Sequence, residues 1–249
     1  MKSQKVGDRR VRYLRQGSGA PLVFLQGYGV RPHFYGDLLR SLSRDYDVVA
    51  PDLWRAGACG SQPSSLEECA ELMAEFCRAL RIDAPALIGH SMGGAVAFRA
   101  AANCMDARCV AGLNPALPVS YGRAGFAARS LVKSARETVG LAGGRRASVF
   151  SARFHGPFLF DTLRHPRATE RFMSMARAVS YQGIVVPQPS LVLFAEADEY
   201  FDLGPDLEAE LRAALPRGEI KRLPSLNHDW PLFYPERAEL ELRLFFDGG

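Results

Sequence analysis

One serine stands where its hydroxyl could be made a nucleophile. Gly89-His90-Ser91-Met92-Gly93 fits the pattern G-x-S-x-G. Three fixed positions of this kind arise by chance in roughly one chain in ten of this length, so the context must carry the reading. The apolar run Ala84–Ile88 enters the motif as a strand, and a small-residue helix beginning near Gly94-Ala95 leaves it. A strand, a tight turn and a helix are what a nucleophile elbow needs, with the serine projecting past the sheet edge. Glycines at 89 and 93 remove side chains that would collide across the turn. The amide of Met92 then heads a helix, where the dipole favours a developing oxyanion.

A serine hydroxyl is a weak nucleophile until a base takes its proton. Of the five histidines, His90 is next to the serine inside the turn and directed away from it. His33 follows an early turn, and His155 and His165 lie in an arginine-rich stretch. His228 lies in the loop Ser225-Leu226-Asn227-His228-Asp229, just after a late strand, where a base could reach a serine at the same sheet edge. The base needs a carboxylate to hold its tautomer and stabilise the imidazolium. Ala195-Glu196-Ala197-Asp198-Glu199 follows the buried strand Leu191–Phe194 and offers three. Asp198 is the chosen partner, with Glu196 and Glu199 as alternatives. The strand ending at Leu113 offers Asn114 instead of a carboxylate, which argues against an acid placed earlier.

Strand and helix signals alternate through the first half, the pattern of a parallel sheet covered on both faces. Val11–Leu14, Leu22–Leu25, Tyr46–Ala50 and Cys109–Leu113 read as further strands, and Asp37–Leu42 and Ala95–Ala102 as helices. The clearest helix follows a loop through Gly60 and Pro63. Ser65 and Glu68 form a capping box there, and Leu66, Cys69, Ala70, Met73, Phe76, Cys77 and Leu80 make one apolar stripe. After residue 186 the pattern resumes with strands Ser190–Phe194 and Ile220–Leu223 and helix Leu207–Leu215. The last element is open: Ala238, Leu240, Leu242 and Leu244 alternate like a strand, whereas Ala238, Leu242, Phe245 and Phe246 fit a helix face.

Gln26-Gly27-Tyr28-Gly29, Pro51-Asp52-Leu53, Gly89-His90-Ser91-Met92-Gly93-Gly94, Ala195-Glu196-Ala197-Asp198 and Asn227-His228 resemble, in order, the signature stretches of the α/β-hydrolase superfamily. The order serine, acid, histidine is the one that fold uses. The resemblance implies a mostly parallel sheet flanked by helices, with residues 1–117 and 187–249 as the core and 118–186 as an inserted helical cap. It also implies an oxyanion hole made by the amides of Met92 and Tyr28. Gln26 stands where many members carry histidine, and Trp54-Arg55-Ala56-Gly57 replaces a more usual loop containing proline and histidine. Gln26 and Trp230 are candidate substrate-binding residues.

Charge is unevenly spread. Between Pro118 and Val186 eleven cationic side chains face three anionic ones, a net +8 inside a chain of net +4, leaving −4 elsewhere. Breaks fall at Gly143-Gly144, Gly156-Pro157 and Pro166. Most of these cations read as solvated helix faces and most of the aromatics as cap core. Because a guanidinium can hold a carboxylate or phosphate with two hydrogen bonds, one or more arginines are expected to meet an anionic group. The candidates are a substrate carboxylate, coenzyme A, or an acyl carrier protein. The basic residues are confined to one segment without a nucleic-acid-binding motif, so nucleic acid is not expected.

The expected activity is a serine hydrolase cleaving a carboxylic ester or thioester through an acyl-serine intermediate. Two other readings use the same fold: a carbon–carbon hydrolase or cofactor-free lyase or cyclase, and a ligand-binding sensor without catalysis. No phosphate-cradling or dinucleotide fingerprint occurs and no metal-ligand spacing is present, so no cofactor and no metal are expected. Five cysteines without a paired framework read as reduced thiols. No apolar run approaches the roughly 20 residues of a membrane span, and a cytoplasmic location is expected.

Overall fold

The computed structural model describes all residues except 55–62, 140–143, 152, 154–165 and 249. Arg55-Ala56-Gly57, Cys59, Gly60, Gly143, the break at Gly156-Pro157, and His155 and His165 therefore lie outside the described residues.

An eight-stranded sheet organises the chain in the order β1-β2-β4-β3-β5-β6-β7-β8. Strands β1 (Lys2–Val6) and β2 (Arg9–Gln16) pair antiparallel at one edge, and β2 pairs antiparallel with β4 (Tyr46–Pro51). From β4 onward the pairing is parallel through β3 (Ala20–Leu25), β5 (Ala86–His90), β6 (Cys109–Leu113), β7 (Ser190–Ala195) and β8 (Gly218–Leu223). Strands β5, β6 and β7 are buried at every position, as expected where helices cover both faces.

The two-residue period of the strands divides the core in two. Val23 and Leu25 of β3, with Val192 and Phe194 of β7, join one cluster with the helices α2 (Leu66–Ala79) and α3 (Met92–Asn103). Leu22, Phe24, Leu191 and Leu193 face the other side. They pack there with Leu38, Leu39 and Leu42 of α1 (Gly36–Leu42) and with helix residues near the C-terminus.

Two local features differ from what the sequence led one to expect. Strand β1 carries no apolar alternation, because four of its five residues are outside the core and only Val6 is buried. Backbone pairing with β2 holds it. The cap of α2 uses Ser65 as read, its Oγ accepting the Glu68 amide at 3.1 Å. The returning carboxylate, however, accepts from the amide and hydroxyl of Ser64, both at 3.0 Å, one residue earlier than a standard capping box.

The open last element is a helix. Pro235 sits in its first turn, where a missing N–H costs nothing, and Ala238, Glu241 and Leu242 are buried at helical spacing while Leu240 and Leu244 are exposed.

Between β6 and β7 the described chain forms α4 (Arg123–Thr138), α5 (Gly144–Phe150) and α6 (Pro166–Arg177). After β7 come α7 (Pro205–Ala214), then α8 (Trp230–Phe233) and α9 (Pro235–Asp247) on either side of Tyr234. No described helix is long and apolar enough to cross a membrane.

Candidate active site

Ser91 sits between β5 and α3 with φ +54°, a conformation a side-chain-bearing residue adopts only when its surroundings impose it. The surroundings do. A Cβ on Gly89 would lie 2.2 Å from the Gly93 carbonyl oxygen, and one on Gly93 would lie 2.3 Å from that of Leu25. The turn is tied to its neighbours by the Ser91 amide donating to Leu113 O at 3.1 Å, and by the Ala116 amide donating to Ser91 O at 2.9 Å.

The structure brings Ser91, His228 and Asp198 together. His228 Nε2 is 2.9 Å from Ser91 Oγ, and His228 Nδ1 is 2.7 Å from Asp198 Oδ2. A carboxylate only accepts, so Nδ1 carries the proton and Nε2 offers its lone pair to the serine hydroxyl. Asp198 is itself held by three donors. Its Oδ1 accepts the amides of Tyr200 and Phe201 at 2.7 and 3.0 Å, and its Oδ2 accepts Asn114 Nδ2 at 2.8 Å. Burial pulls the His228 imidazole down. The charge and hydrogen bond of Asp198, joined by the charge of Asp229, outweigh burial and the opposing charge of Lys133, leaving it above its ordinary value.

The two other carboxylates take different places. Glu196 is exposed. Glu199 turns back under the loop, where its Oε2 accepts the His228 amide at 3.3 Å and burial raises its carboxyl above the usual range.

Two positioning residues had not been read as such. Asn114 is more than a missing acid. From φ +45° its Oδ1 accepts the Ala195 amide at 2.7 Å while its Nδ2 reaches Asp198, bracing the loop that carries the acid. His90 is a strut. Its Nε2 donates to His228 O at 3.0 Å, so its Nδ1 is the acceptor for Tyr35 Oη at 2.7 Å, and Tyr35 Oη in turn accepts the Gly27 amide at 3.2 Å. Burial and the neighbouring His228 press its ring down to about 4, so it is neutral near pH 7. The signal for Asn114 was present in the sequence as an asparagine ending a buried strand. Nothing local pointed to Tyr35.

A cavity lies over Ser91, with about 60 Å³ of room for the centre of a water-sized molecule. Tyr28, Tyr121, Phe126, Phe172, Tyr200 and Phe201 form the aromatic part of its wall. The rings support one another: Tyr28 stacks on Phe172 at 4.0 Å between centroids, and Tyr200 meets the His228 ring edge-on at 4.9 Å. Tyr28 thus stands beside Ser91, and Met92 is the first residue of α3.

Neither candidate substrate-binding residue lines this space. Trp230 is fully buried in the second core cluster, where a large ring fills volume. Gln26 is buried with its amide nitrogen on Asp52 Oδ1 at 3.3 Å and its backbone oxygen accepting Trp54 Nε1 at 3.1 Å.

The expected arginine contact is also not made at this wall. No cation lines the cavity among the described residues. Arg129 donates to Glu199 O at 2.7 Å and lies over the Tyr121 ring, Arg146 pairs with Glu236 at 3.0 Å, and Arg177 pairs with Glu170 at 2.8 Å. Long aliphatic stems and flexible heads let these arginines find partners elsewhere instead of entering an apolar space that would strip their hydration.

His90, His228 and Asp229 bring donor atoms within 4.8 Å of one another. Each is committed inside the protein, to the His228 carbonyl, Ser91 Oγ and Lys133 Nζ respectively, which is a hydrogen-bonded set and not a ligand set.

Residues 22–239 match the alpha/beta hydrolase family. The chain belongs to that family. This hydrolase resembles the magnesium-chelatase 30 kDa subunit of Rhodobacter capsulatus, 36% identical over 110 residues that cover 43% of this chain and 38% of that one. It also resembles a pyrrolizixenacetamide deacetylase of Xenorhabdus hominickii, 34% identical over 106 residues, 41% of this chain and 40% of that one. These matches span about two-fifths of the curated relatives' length.

Among solved structures, an N-formylmaleamic acid deformylase from Pseudomonas putida S16 superposes with a TM-score of 0.69 at 16% identity, covering 96% of this chain and 99% of that one. A Bacillus megaterium epoxide hydrolase superposes at 0.69 with 14% identity, covering 99% and 100%. At such identities the likeness establishes the α/β-hydrolase fold alone.

Proposed function

We propose that this alpha/beta hydrolase is a serine hydrolase that removes a short, uncharged acyl group from an ester or thioester. The observation that carries the reading is the relay from Asp198 through His228 to Ser91, at 2.7 and 2.9 Å, with its last hydroxyl facing an apolar cavity. In the first half-reaction Ser91 Oγ attacks the acyl carbon as its proton passes to His228 Nε2. The amides of Met92 and Tyr28 receive the negative charge on the carbonyl oxygen. His228 then gives the proton to the departing oxygen or sulfur, leaving an acyl-serine and an imidazolium returned to neutrality. Water repeats the sequence, giving its proton to His228 and its oxygen to the acid product.

Helices α4 and α6 act in this reading as a cap, because Phe126 and Phe172 close the cavity from above the serine. The limited room and aromatic wall favour an acyl chain of a few carbons. The name of the deacetylase relative points the same way, toward a small acyl group. Coenzyme A or an acyl carrier protein would have to be recognised outside the cavity, since its wall carries no cation among the described residues.

The test is hydrolysis of p-nitrophenyl acetate, butyrate and octanoate and of the matching acyl thioesters by wild type and Ser91→Ala. Turnover favouring the shorter chains, and lost by about 10⁴–10⁶ in the variant, supports the proposal. Equal turnover by both proteins overturns it. Absence of turnover with tight ligand binding would favour the sensor reading.

A further inference from the structure

A buried lysine in the mechanism's surroundings has no part in the relay. Lys133 lies on α4, in the segment between β6 and β7, and its side chain is fully enclosed. Its Nζ donates to Glu137 Oε1 at 2.6 Å and to Asp229 Oδ2. Glu137 Oε1 also accepts Asn227 Nδ2 at 3.0 Å. The two residues flanking His228, Asn227 and Asp229, are therefore both fastened to the same pair on α4. A lysine and a glutamate one turn apart grip the histidine loop from each side.

The charges facing His228 explain why a cation is needed there. Asp198 holds Nδ1, Glu199 accepts the backbone amide, and Asp229 lines the cavity next to the ring. Glu137 lies behind Asp229. His90 on β5 is neutral, and the Tyr35 and Tyr200 hydroxyls are kept protonated by burial. The buried acids would otherwise hold the imidazolium firmly in place. A base locked in its protonated form cannot take the proton of Ser91.

We propose that Lys133 is a positioning residue that neutralises Asp229, fixes the His228 loop to α4, and keeps His228 deprotonated at working pH. The role of His228 as base rests on the hydrolase reading above; the electrostatic coupling does not. At separations of several ångströms inside a protein, removing one charge shifts a neighbouring titration by about one pH unit or more. The sign is set by charge alone. Loss of Lys133 unmasks Asp229, so His228 binds its proton more tightly and titrates at higher pH.

The experiment is a substrate-free titration of ¹³C-histidine-labelled protein by NMR. Wild type, Lys133→Met, Lys133→Arg, Asp229→Asn and the Lys133→Met/Asp229→Asn double variant are compared. The His228 midpoint is expected to move up by about one pH unit in Lys133→Met and to stay in Lys133→Arg. It is expected to fall in Asp229→Asn and to return toward wild type in the double variant. The acid limb of kcat/KM should move with the midpoint in each case. If Lys133→Met does not fold, the Asp229→Asn and Lys133→Arg spectra still decide. A midpoint unmoved by Asp229→Asn, or moved equally by Lys133→Arg and Lys133→Met, overturns the proposal. Since the titration is read without substrate, a protein that fails every hydrolysis assay but shows these shifts loses the hydrolase reading and keeps the coupling.

Discussion

Helices α2 and α4 obey the same spacing rule and bury opposite kinds of residue. On α2 the inward stripe is apolar, with Leu66, Cys69, Ala70, Met73, Phe76 and Cys77 packed against the sheet. On α4 the inward positions are Phe126, Ser130, Lys133 and Glu137, again three and four apart. Lys133 and Glu137 have no solvent exposure, whereas Leu131 and Val132 on the same helix are 59% and 57% exposed. A helix covering a sheet is oriented by apolar burial. A helix covering a polar site can be oriented instead by a paired buried charge, because leaving Asp229 and Glu137 without a cation would cost more than exposing two aliphatic side chains. Hydrophobic patterning therefore reads the first region correctly and would turn the second inside out.

The contrast can be tested from both sides. The largest effect is expected in the core turn. Gly93→Ala places a methyl 2.3 Å from a backbone oxygen of β3 that has nowhere to move, and the variant should be insoluble or lose more than about 4 kcal/mol by urea unfolding. Next comes α4. Lys133→Met should cost about 3–5 kcal/mol in the same assay, while Arg136→Ala, an exposed cation one position from a helical turn away, should stay within about 0.5 kcal/mol. Equal losses would mean that the burial of Lys133 carries no energetic weight.

The two histidines of the site should then separate by pH. His90 is neutral in the fold with its ring at about 4, against 6.5 when unfolded, so its contribution is complete above 6.5 and is lost as pH falls toward 4. That window should account for about 2–3 kcal/mol of acid destabilisation, visible as a smaller fall of Tm in His90→Gln than in wild type. His228 is raised, so its contribution is complete below 6.5 and is lost as pH rises through its folded value. Since only neutral His228 accepts the serine proton, kcat/KM should drop tenfold per pH unit below a midpoint above 6.5. A flat profile down to pH 5 would contradict the assignment of that base.

The smallest effect concerns the wall. Phe172→Leu removes a ring stacked on Tyr28 and should cost about 1–2 kcal/mol while shifting chain-length preference toward longer acyl groups. An unchanged preference would place the acyl group elsewhere.

Much of the core could be read from the sequence, for reasons visible in single residues. Gly89 and Gly93 are demanded by backbone clashes of a turn, which are local and leave a fixed spacing around Ser91. Strands β5, β6 and β7 are buried on both faces and so announce themselves as apolar runs. Asp198, not Glu196 or Glu199, is the carboxylate whose Oδ2 meets His228 Nδ1, although three acids within four positions gave no local reason for the order. Strand β1 escaped notice because backbone pairing, not side-chain burial, holds it.

What the sequence by itself determined was the fold and the glycine-flanked turn at Ser91, which follow from periodicity and local sterics, together with a short set of candidate residues for nucleophilic chemistry. The tertiary structure alone decided the Tyr35–His90 strut, the aromatic wall on which no cation stands among the described residues, and the capture of Asn227 and Asp229 by Lys133 and Glu137. The last of these contacts join positions 90 and 96 residues apart. Their energy depends on desolvation and mutual distance, quantities that exist only once the chain has closed on itself.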